Sequence, residues 1–444
     1  MKKILALLIT FFTIFISVEA KTVKKDFSTV VNESGVDIES ISVSIKNLDN
    51  GKVVYSLNDK MLMNPASVQK LLTTPVSFET LGEEYEFSTE IYSRNSDSFL
   101  IKLGADPYFT TSDLKKLVSY IGVDTKRIYI DDRILDTKIW GEGWQWDDDM
   151  NVLMPKFGSY NLDKNLIKLT IMPSDNDQFA TIINPSKYPL VFFNNITTGE
   201  KTNLDIHRDN NISNNTLVLS GTIARPTTVY IPTNNLKRYF EVQLSRLLEN
   251  KRIYLKENYI STKKNPNDKF EDKITHSIEM AVDDILKNSN NLVSETLFKL
   301  AGAKYSNLET GTDSAGIKMF NDYCVKNNLD NSRIRIADAS GVSKNNLVST
   351  DFVTEFIKIN KNNNILDKIP SPGEGTLTHR MLPLKDKLKA KTGTLSDISS
   401  IAGVLTSKSG KKYAFCIIIN DMKLSNSDKK MLEDFIIREA YLRL

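Results

Sequence analysis

The spacing of apolar residues predicts extended structure near the start of the chain and again through its middle. Apolar and polar residues alternate through 41–45 and 53–55, on either side of an Asp-Asn-Gly turn, and this pattern is typical of a β-hairpin. From about residue 86 to 264 the chain changes to short strands, turns and Asn-rich loops, with the clearest strands at 216–219 and 228–231. We therefore predict that the middle of the chain is β-rich.

A helical period appears directly after Pro65, which ends an extended stretch. Val68, Leu71 and Leu72 fall on one face of a helix that begins near Ser67. Residues three positions apart in this helix share a face, so their side chains can meet.

The last part of the chain combines helices with strands. The apolar spacing is helical over 274–303, where it is broken only at 288–291. Strands follow near 395–405 and 412–419, and a helix begins at Ser427. Strands at the two ends with helices between them indicate an α/β fold, with a mixed sheet assembled from distant parts of the chain.

The first twenty residues predict a secretory signal peptide. Lys2 and Lys3 precede an apolar, uncharged stretch over 4–18, and Glu19-Ala20 follows it at a plausible cleavage site. A membrane-spanning helix needs roughly 20 apolar residues, so this stretch is short for a stable span. We expect an exported protein, in the periplasm or cell-wall space of a bacterium, without a transmembrane anchor after cleavage. Retention as an uncleaved anchor is the alternative.

Composition excludes several functional classes. The 444 residues are 40% apolar and 25% charged, as in ordinary folded proteins, and the net charge of +3 gives no support for general nucleic-acid binding. Cys324 and Cys416 are too few for a disulfide framework; we predict two free, buried thiols, with one bridge as the alternative. The three histidines lack zinc-site spacing and no G-x-S-x-G elbow accompanies them, so we predict neither a metal nor a cofactor.

Ser67-Val68-Gln69-Lys70 is the first candidate for catalysis. On a helix the Lys70 amine can reach the Ser67 hydroxyl, which is a poor nucleophile until a base takes its proton. A free lysine has a pKa of about 10.4, which must fall by roughly 3 units for the amine to act as a base; burial and a neighbouring cation, such as a second lysine, can lower it.

Two further motifs give the first one its weight. Ser-x-x-Lys by itself is weak, since it occurs five times in this lysine-rich chain. Ser289-Asn290-Asn291 is not rare as a pattern either, whereas Lys391-Thr392-Gly393 occurs once. In this order, S-x-x-K, S-D-N and K-T-G form the signature of penicillin-binding proteins and serine β-lactamases.

With these motifs, the chain resembles the D-alanyl-D-alanine carboxypeptidase/endopeptidase family of class C penicillin-binding proteins, the type with a large insertion in its catalytic domain. Further similar stretches are Gly-Ala-Asp-Pro at 104–107, Gly-Trp-Gln-Trp-Asp-Asp at 143–148, Asp-Ala-Ser-Gly-Val-Ser at 338–343 and Gly-Glu-Gly-Thr-Leu at 373–377. The resemblance covers nearly the whole chain after the signal peptide.

The resemblance implies a role for each motif in acyl transfer. Ser67 would attack the carbonyl of a D-Ala-D-Ala bond, and Lys70 would take its proton. Ser289 would relay a proton to the departing D-alanine, and Asn291 would hold Lys70 or the substrate amide. The family usually has Asp where this chain has Asn290, and we expect that change to tune activity without abolishing it.

The resemblance also implies substrate contacts. Lys391 and Thr392 would bind the terminal carboxylate, and the strand that continues through Gly393 and Thr394 would pair with the substrate backbone. The N–H groups of Ser67 and Thr394 would form the oxyanion hole. Asp148, in the inserted region, would bind the amine of the diamino acid in the peptide.

The fold implied is a serine β-lactamase/transpeptidase-like catalytic domain formed by residues 21–85 and 265–444, with a mixed sheet flanked by helices. Residues 86–264 would be a β-rich insertion of two small subdomains. The implied partners are peptidoglycan stem peptides and β-lactam antibiotics. Carboxypeptidase and endopeptidase action both fit.

Three alternatives share parts of this evidence. A serine β-lactamase has the same motifs but must hydrolyse penicillin quickly, and the sequence offers no secure deacylating glutamate. A D-amino-acid esterase or amidase would use the motifs on other acyl groups. A non-catalytic cell-wall-binding protein would keep the motifs without being acylated.

Overall fold

The chain folds into two compact units. The computed structural model describes residues 27–175, 178–255 and 259–444. The first unit contains the described residues up to Val68, together with Ser332–Arg335 and Asn346–Leu444. The second unit contains the described residues of Gln69–Asn331 and Ile336–Asn345.

Strands and helices are numbered along the chain. The strands are β1 (Ile41–Asn47), β2 (Val53–Leu57), β3 (Glu86–Asn95), β4 (Ser98–Lys102), β5 (Arg127–Asp131), β6 (Leu166–Met172), β7 (Thr181–Ile183), β8 (Val191–Thr198), β9 (Asn203–Arg208), β10 (Thr216–Ile223), β11 (Thr227–Pro232), β12 (Ile260–Ser261), β13 (Lys269–Ser277), β14 (Ile334–Arg335), β15 (Leu347–Val348), β16 (Leu388–Thr394), β17 (Ile398–Thr406) and β18 (Lys412–Asn420). The α-helices are α1 (Phe27–Glu33), α2 (Gln69–Leu81), α3 (Thr111–Val118), α4 (Leu236–Asn250), α5 (Ile278–Asn288), α6 (Asn291–Ser306), α7 (Asp313–Lys326), α8 (Thr350–Ile359) and α9 (Asn426–Arg443).

A five-stranded sheet in the order β16-β17-β18-β1-β2 forms the centre of the first unit. The apolar residues of β1 share a core with α1 and α9. Between them, Ser42 and Ser44 hydrogen-bond Thr350 and Thr354 of α8 at 2.7 and 3.0 Å. Both faces of the central strands are therefore covered by helices, in agreement with the predicted α/β class.

Strand direction in this sheet differs in one respect from the prediction. The two ends of the chain do meet in one sheet, because β1 pairs with β18, but all four of its pairings are antiparallel. Short turns join β1 to β2, β16 to β17 and β17 to β18, and a short turn can only connect antiparallel strands. A sheet of mixed direction lies instead in the second unit.

The second unit contains three sheets and a group of helices. Its largest sheet has the order β12-β5-β4-β3-β13 with both parallel and antiparallel pairs, and β8-β10-β9 and β11-β6-β7 form three-stranded sheets. Helix α6 packs against α2, α5 and α7. Predicted strands at 216–219 and 228–231 correspond to β10 and β11.

Two predicted element boundaries are wrong. Residues 274–277 belong to β13, which pairs with β3, and helix α5 begins only at Ile278, where the Ser277 side chain accepts the N–H of Met280. The strand predicted near 395–405 corresponds to β17, which begins only at Ile398, whereas β16 ends at Thr394, before the predicted range starts. In both places, pairing with a neighbouring strand sets the boundary, which a local apolar period cannot show.

The predicted division into a catalytic domain, 21–85 with 265–444, and an insertion, 86–264, stays a prediction, since compact units report packing and not which segment was inserted. The predicted signal peptide, 1–20, lies outside the described residues. Among the helices of the described residues, none is both long and apolar enough to cross a membrane. Cys324 and Cys416 are buried and unbridged, as predicted.

Candidate active site

Ser67 lies in a short 3-10 turn, Ala66–Val68, that is fastened to the sheet of the first unit. The Asn64 side chain accepts the N–H of Ala66 at 2.9 Å, and the Ser400 hydroxyl of β17 donates to the carbonyl of Pro65 at 2.5 Å. These bonds hold the backbone on the N-terminal side of Ser67, so the sheet positions the turn that carries this residue.

Gly393 brings strand β16 close to this turn. A Cβ added at Gly393 would lie 2.7 Å from the Ser67 nitrogen, 2.8 Å from the Pro65 carbonyl oxygen and 2.4 Å from the Ser400 hydroxyl. Only a residue without a side chain allows this approach. The glycine of the Lys-Thr-Gly motif therefore places β16 beside Ser67.

The rest of the Lys-Thr-Gly motif lies on an edge strand. β16 pairs only with β17 in the sheet order, so its other edge is not covered by a strand of the described residues. Lys391 is fully buried and its ammonium donates to the carbonyl of Thr392 at 2.9 Å, while the Thr392 hydroxyl donates to that of Thr376 at 2.7 Å. Thr394, at the end of the strand, is exposed.

Lys70 is buried in the second unit, in the first turn of α2. Its ammonium donates to the side-chain oxygen of Asn291 and to the carbonyl of Ser340, both at 2.6 Å. Burial lowers the pKa of Lys70 from 10.5 to about 7, although the carboxylates of Asp338 and Glu295 act in the opposite direction. Of the two causes expected from the sequence, burial and a neighbouring cation, burial is the dominant one. A lysine in this state can accept a proton near neutral pH.

The second motif forms the junction between α5 and α6. Ser289 follows the last residue of α5 in the left-handed conformation, with φ of 61°. Asn290 caps α6 by accepting the N–H of Val293, and Asn291 is the first residue of α6. The Asn291 amide donates to the carbonyl of Leu153 at 2.8 Å while its oxygen accepts from Lys70, so its orientation is fixed from both ends.

The structure also accounts for asparagine at the middle position of this motif. The Asn290 amide donates to a carboxylate oxygen of Asp284 at 2.8 Å. An aspartate at position 290 would lose this donor and place a second carboxylate against Asp284. Asparagine at position 290 is therefore matched to Asp284 on helix α5 of this chain.

Asp148 lies in a 3-10 turn, Trp146–Met150, that carries three successive aspartates. Asp149 forms ion pairs with Lys156 and Arg208, so it anchors the turn. Partial burial and the carboxylate of Asp147 raise the pKa of Asp148. Of the two aspartates beside Asp148, Asp149 is therefore held by ion pairs, whereas Asp147 is exposed to solvent.

Three groups around Lys70 were missed by the sequence analysis as site residues: Glu295, Asp338 and the Ser340 carbonyl. Asp338 and Ser340 lie in a stretch recognised only as similar to the family. Glu295 follows Asn291 by four residues on α6, a spacing that would have placed it on the same face. Among the described residues, no group of three or more histidine, cysteine, aspartate or glutamate side chains could hold a metal ion.

Comparison with known proteins gives consistent matches over almost the whole chain. The model of a family described as the D-Ala-D-Ala carboxypeptidase 3 (S13) family matches residues 23–439. The D-alanyl-D-alanine carboxypeptidase DacB of Haemophilus influenzae is 23% identical over 422 residues, covering 87% of this chain and 86% of that protein. A D-alanyl-D-alanine carboxypeptidase of an Actinomadura species is 22% identical over 437 residues, covering 89% of this chain and 80% of its own.

The fold has a close match among solved structures. The crystal structure of penicillin binding protein 4 from Haemophilus influenzae superposes with a TM-score of 0.82 at 21% identity, covering 94% of this chain and 99% of the other. A second structure of that protein, complexed with a β-lactam, gives a TM-score of 0.75 at 20% identity. The predicted penicillin-binding-protein fold is confirmed.

Proposed function

The chain belongs to the D-Ala-D-Ala carboxypeptidase 3 (S13) family, and we propose that it hydrolyses the D-alanyl-D-alanine bond of peptidoglycan stem peptides through an acyl-serine intermediate. It is a serine peptidase by family. The observation that carries the proposal is the buried Lys70, three residues after Ser67, with a pKa lowered to about 7.

In the first half-reaction, Ser67 is the nucleophile and neutral Lys70 is the base. The Ser67 oxygen forms a bond to the carbonyl carbon of the penultimate D-alanine while Lys70 takes the hydroxyl proton. The N–H groups of Ser67 and Thr394 stabilise the oxyanion, and one such donor is worth about 3 kcal/mol. The C–N bond then breaks, and the proton that Lys70 took is relayed through Ser289 to the leaving amine of terminal D-alanine, so that Lys70 is neutral again.

Water completes the cycle. It attacks the ester carbonyl and gives a proton to Lys70, and the Ser67 oxygen leaves and is reprotonated. The products are D-alanine and the shortened stem peptide. When the leaving amine belongs to a neighbouring stem peptide, the same steps cut a cross-link, so one mechanism serves carboxypeptidase and endopeptidase action.

Substrate binding is assigned to β16 and to Asp148. The uncovered edge of β16 supports pairing with an extended peptide, as in other cases where a strand adds to a sheet edge. Lys391 and Thr392 bind the terminal carboxylate, and Gly393 and Thr394 extend the strand along the substrate. Asp148 binds the amine of the diamino acid.

Export to the periplasm or cell-wall space is part of the proposal. It rests on the predicted signal peptide at 1–20, and it places the protein where assembled, cross-linked peptidoglycan lies. β-Lactam antibiotics are proposed to acylate Ser67, because their strained amide presents a carbonyl to the same nucleophile.

Release of D-alanine from a synthetic stem pentapeptide tests the proposed function. We expect release from a peptide ending in D-Ala-D-Ala and none from a matched peptide ending in D-Ala-L-Ala, with a cross-linked muropeptide dimer assayed in parallel. Activity on D-amino-acid esters alone would favour an esterase, and sustained turnover of penicillin would favour a β-lactamase. Binding to peptidoglycan without release or acylation would overturn the enzyme assignment.

Substituting Gly393 with alanine is expected to slow acylation of Ser67 by penicillin about a hundredfold, since displacement of a reacting group by about 1 Å has that effect. The added Cβ would lie 2.7 Å from the Ser67 nitrogen, so the turn or the strand must shift. The acylation rate is measured by stopping the reaction at a series of times and recording the intact mass of the protein. Gly122→Ala is the matched control, because no described atom lies within 4 Å of its added Cβ. An unchanged rate in Gly393→Ala would show that the close approach is unnecessary.

A further inference from the structure

We infer that Glu295 is a positioning residue for Lys70: its carboxylate holds the backbone that binds the Lys70 ammonium. The inference rests on the proposed role of Lys70 as the base. It adds a residue that none of the three sequence motifs contains.

Glu295 acts on Lys70 through the backbone of Ser340. Glu295 is 1% exposed, and its two carboxylate oxygens accept the N–H of Ser340 at 2.8 Å and the N–H of Ala339 at 3.2 Å. The carbonyl of the same Ser340 accepts from Lys70 at 2.6 Å. The Thr73 hydroxyl, one turn further along α2, donates to the carbonyl of Ala339 at 2.8 Å. Loss of the Glu295 carboxylate therefore frees the backbone on which the Lys70 side chain rests.

Helix α6 carries two residues that help to hold Lys70, one by a direct hydrogen bond and one through the backbone of Ser340. Asn291 and Glu295 are four residues apart, so both side chains lie on one face of this helix. Asn291 accepts from Lys70 directly, whereas Glu295 acts through Ser340. Helix α6 thus supports two acceptors of the Lys70 ammonium, Asn291 directly and Ser340 through Glu295.

A carboxylate is the side chain that this arrangement requires. Both of its oxygens accept backbone N–H groups, and burial leaves no water to replace either bond. Glutamine has the same shape but would turn an NH₂ group toward one of the two N–H donors. Glu295 is therefore suited to a purely accepting role.

Charged groups around Lys70 and Glu295 couple their proton affinities. Burial and the carboxylates of Asp338 and Asp313 raise the pKa of Glu295, and the hydrogen bonds from Ser340 and Ala339, which stabilise the carboxylate, oppose this. Asp313 is itself paired with Lys299 and Lys138.

Asp338 is the other carboxylate that acts on Lys70. It accepts the N–H groups of Gly341 and Ser343 and the indole N–H of Trp144 at 2.6 to 2.7 Å. These donors are neutral, so they hold Asp338 without cancelling its charge. None of these three donors is supplied by Glu295, so a change at Glu295 does not remove them directly.

The direction of the effect follows from charge. The Glu295 carboxylate raises the pKa of Lys70, because it favours the ammonium. Removing that charge lowers the pKa of Lys70, so the neutral base forms at lower pH. If the Glu295 carboxylate only stabilised the fold, its removal would change the stability of the protein and leave the pH at which Lys70 loses its proton unchanged.

The pH dependence of penicillin acylation tests the inference. In the wild type we expect the rate to rise with pH through a midpoint of about 7, where Lys70 loses its proton. Glu295→Gln is expected to move the midpoint down by about one pH unit and to reduce the plateau rate about tenfold or more. Glu295→Asp keeps the charge but shortens the side chain, so its midpoint should stay near that of the wild type while its plateau falls.

Glu433→Gln is the matched control, since Glu433 is also fully buried but pairs with Arg380 at 2.9 Å. It should lose stability without a shift in the midpoint. A folded Glu295→Gln protein with the wild-type midpoint and plateau overturns the inference. If Glu295→Gln does not fold, a wild-type plateau in Glu295→Asp overturns it. Failure of the wild type to form any adduct would instead count against the proposed function.

Discussion

Ser67→Ala is expected to abolish the covalent adduct with penicillin. The wild-type protein should gain the mass of one penicillin, and the variant should remain at its own mass after the same incubation. Alanine has no atom that can attack the carbonyl, and removal of a catalytic serine reduces acyl transfer on the order of a millionfold. Intact-mass measurement of the mature protein, with and without penicillin, gives the result directly.

Ser112→Ala provides the matched control. Ser112 and Lys115 form another Ser-x-x-Lys pair, on helix α3, but both side chains are exposed. This variant should form the same adduct as the wild type. A persistent adduct in Ser67→Ala would place the nucleophile elsewhere, and its position could be found by peptide mapping.

The second large effect is expected for Lys70→Met. Methionine fills a similar volume but cannot take a proton, and loss of a general base reduces rates about 10²- to 10⁴-fold. The increase of acylation rate through a midpoint of about 7 should also disappear, because Lys70 is the group assigned to it. The measurement is the penicillin acylation rate between pH 5 and 9, with thermal unfolding to show that the variant is folded.

Lys115→Met is the control, because Lys115 has the same spacing from a serine on an exposed helix face. Its rate and pH dependence should match those of the wild type. If Lys70→Met were acylated at the wild-type rate, another group would have to be the base.

Local patterns predicted the elements whose boundaries depend on neighbours in sequence. The alternation through β1 and β2 around an Asp-Asn-Gly turn gave the hairpin, and the break in the helical period gave the junction between α5 and α6. The same kind of evidence failed at 274–277, because pairing with β3 overrides the helical period there. It also started β17 near residue 395, although its pairing with β18 begins only at Ile398.

The candidate site was found from the sequence through order and spacing of motifs, and not through any single motif. Ser67-Lys70 and Ser112-Lys115 are equivalent as patterns. They differ in burial, since Lys70 is fully buried and Lys115 is exposed. Burial lowers the pKa of Lys70, and burial depends on helix α6 and residues 336–345, both remote in sequence.

The sequence by itself determined the family, the serine acyl-transfer chemistry and the short elements that carry the motifs. These follow from local spacing and from the residue types that the chemistry needs. Only the tertiary structure decided that Glu295 and Asp338 surround Lys70, that Asn290 faces Asp284, and that a glycine is required beside Ser67. The groups around Lys70 and the close approach at Gly393 depend on contacts between residues far apart in the chain, and the contact of Asn290 depends on how the junction after α5 turns back toward Asp284. The proton affinity of a buried group is set by all the charges and dipoles that surround it.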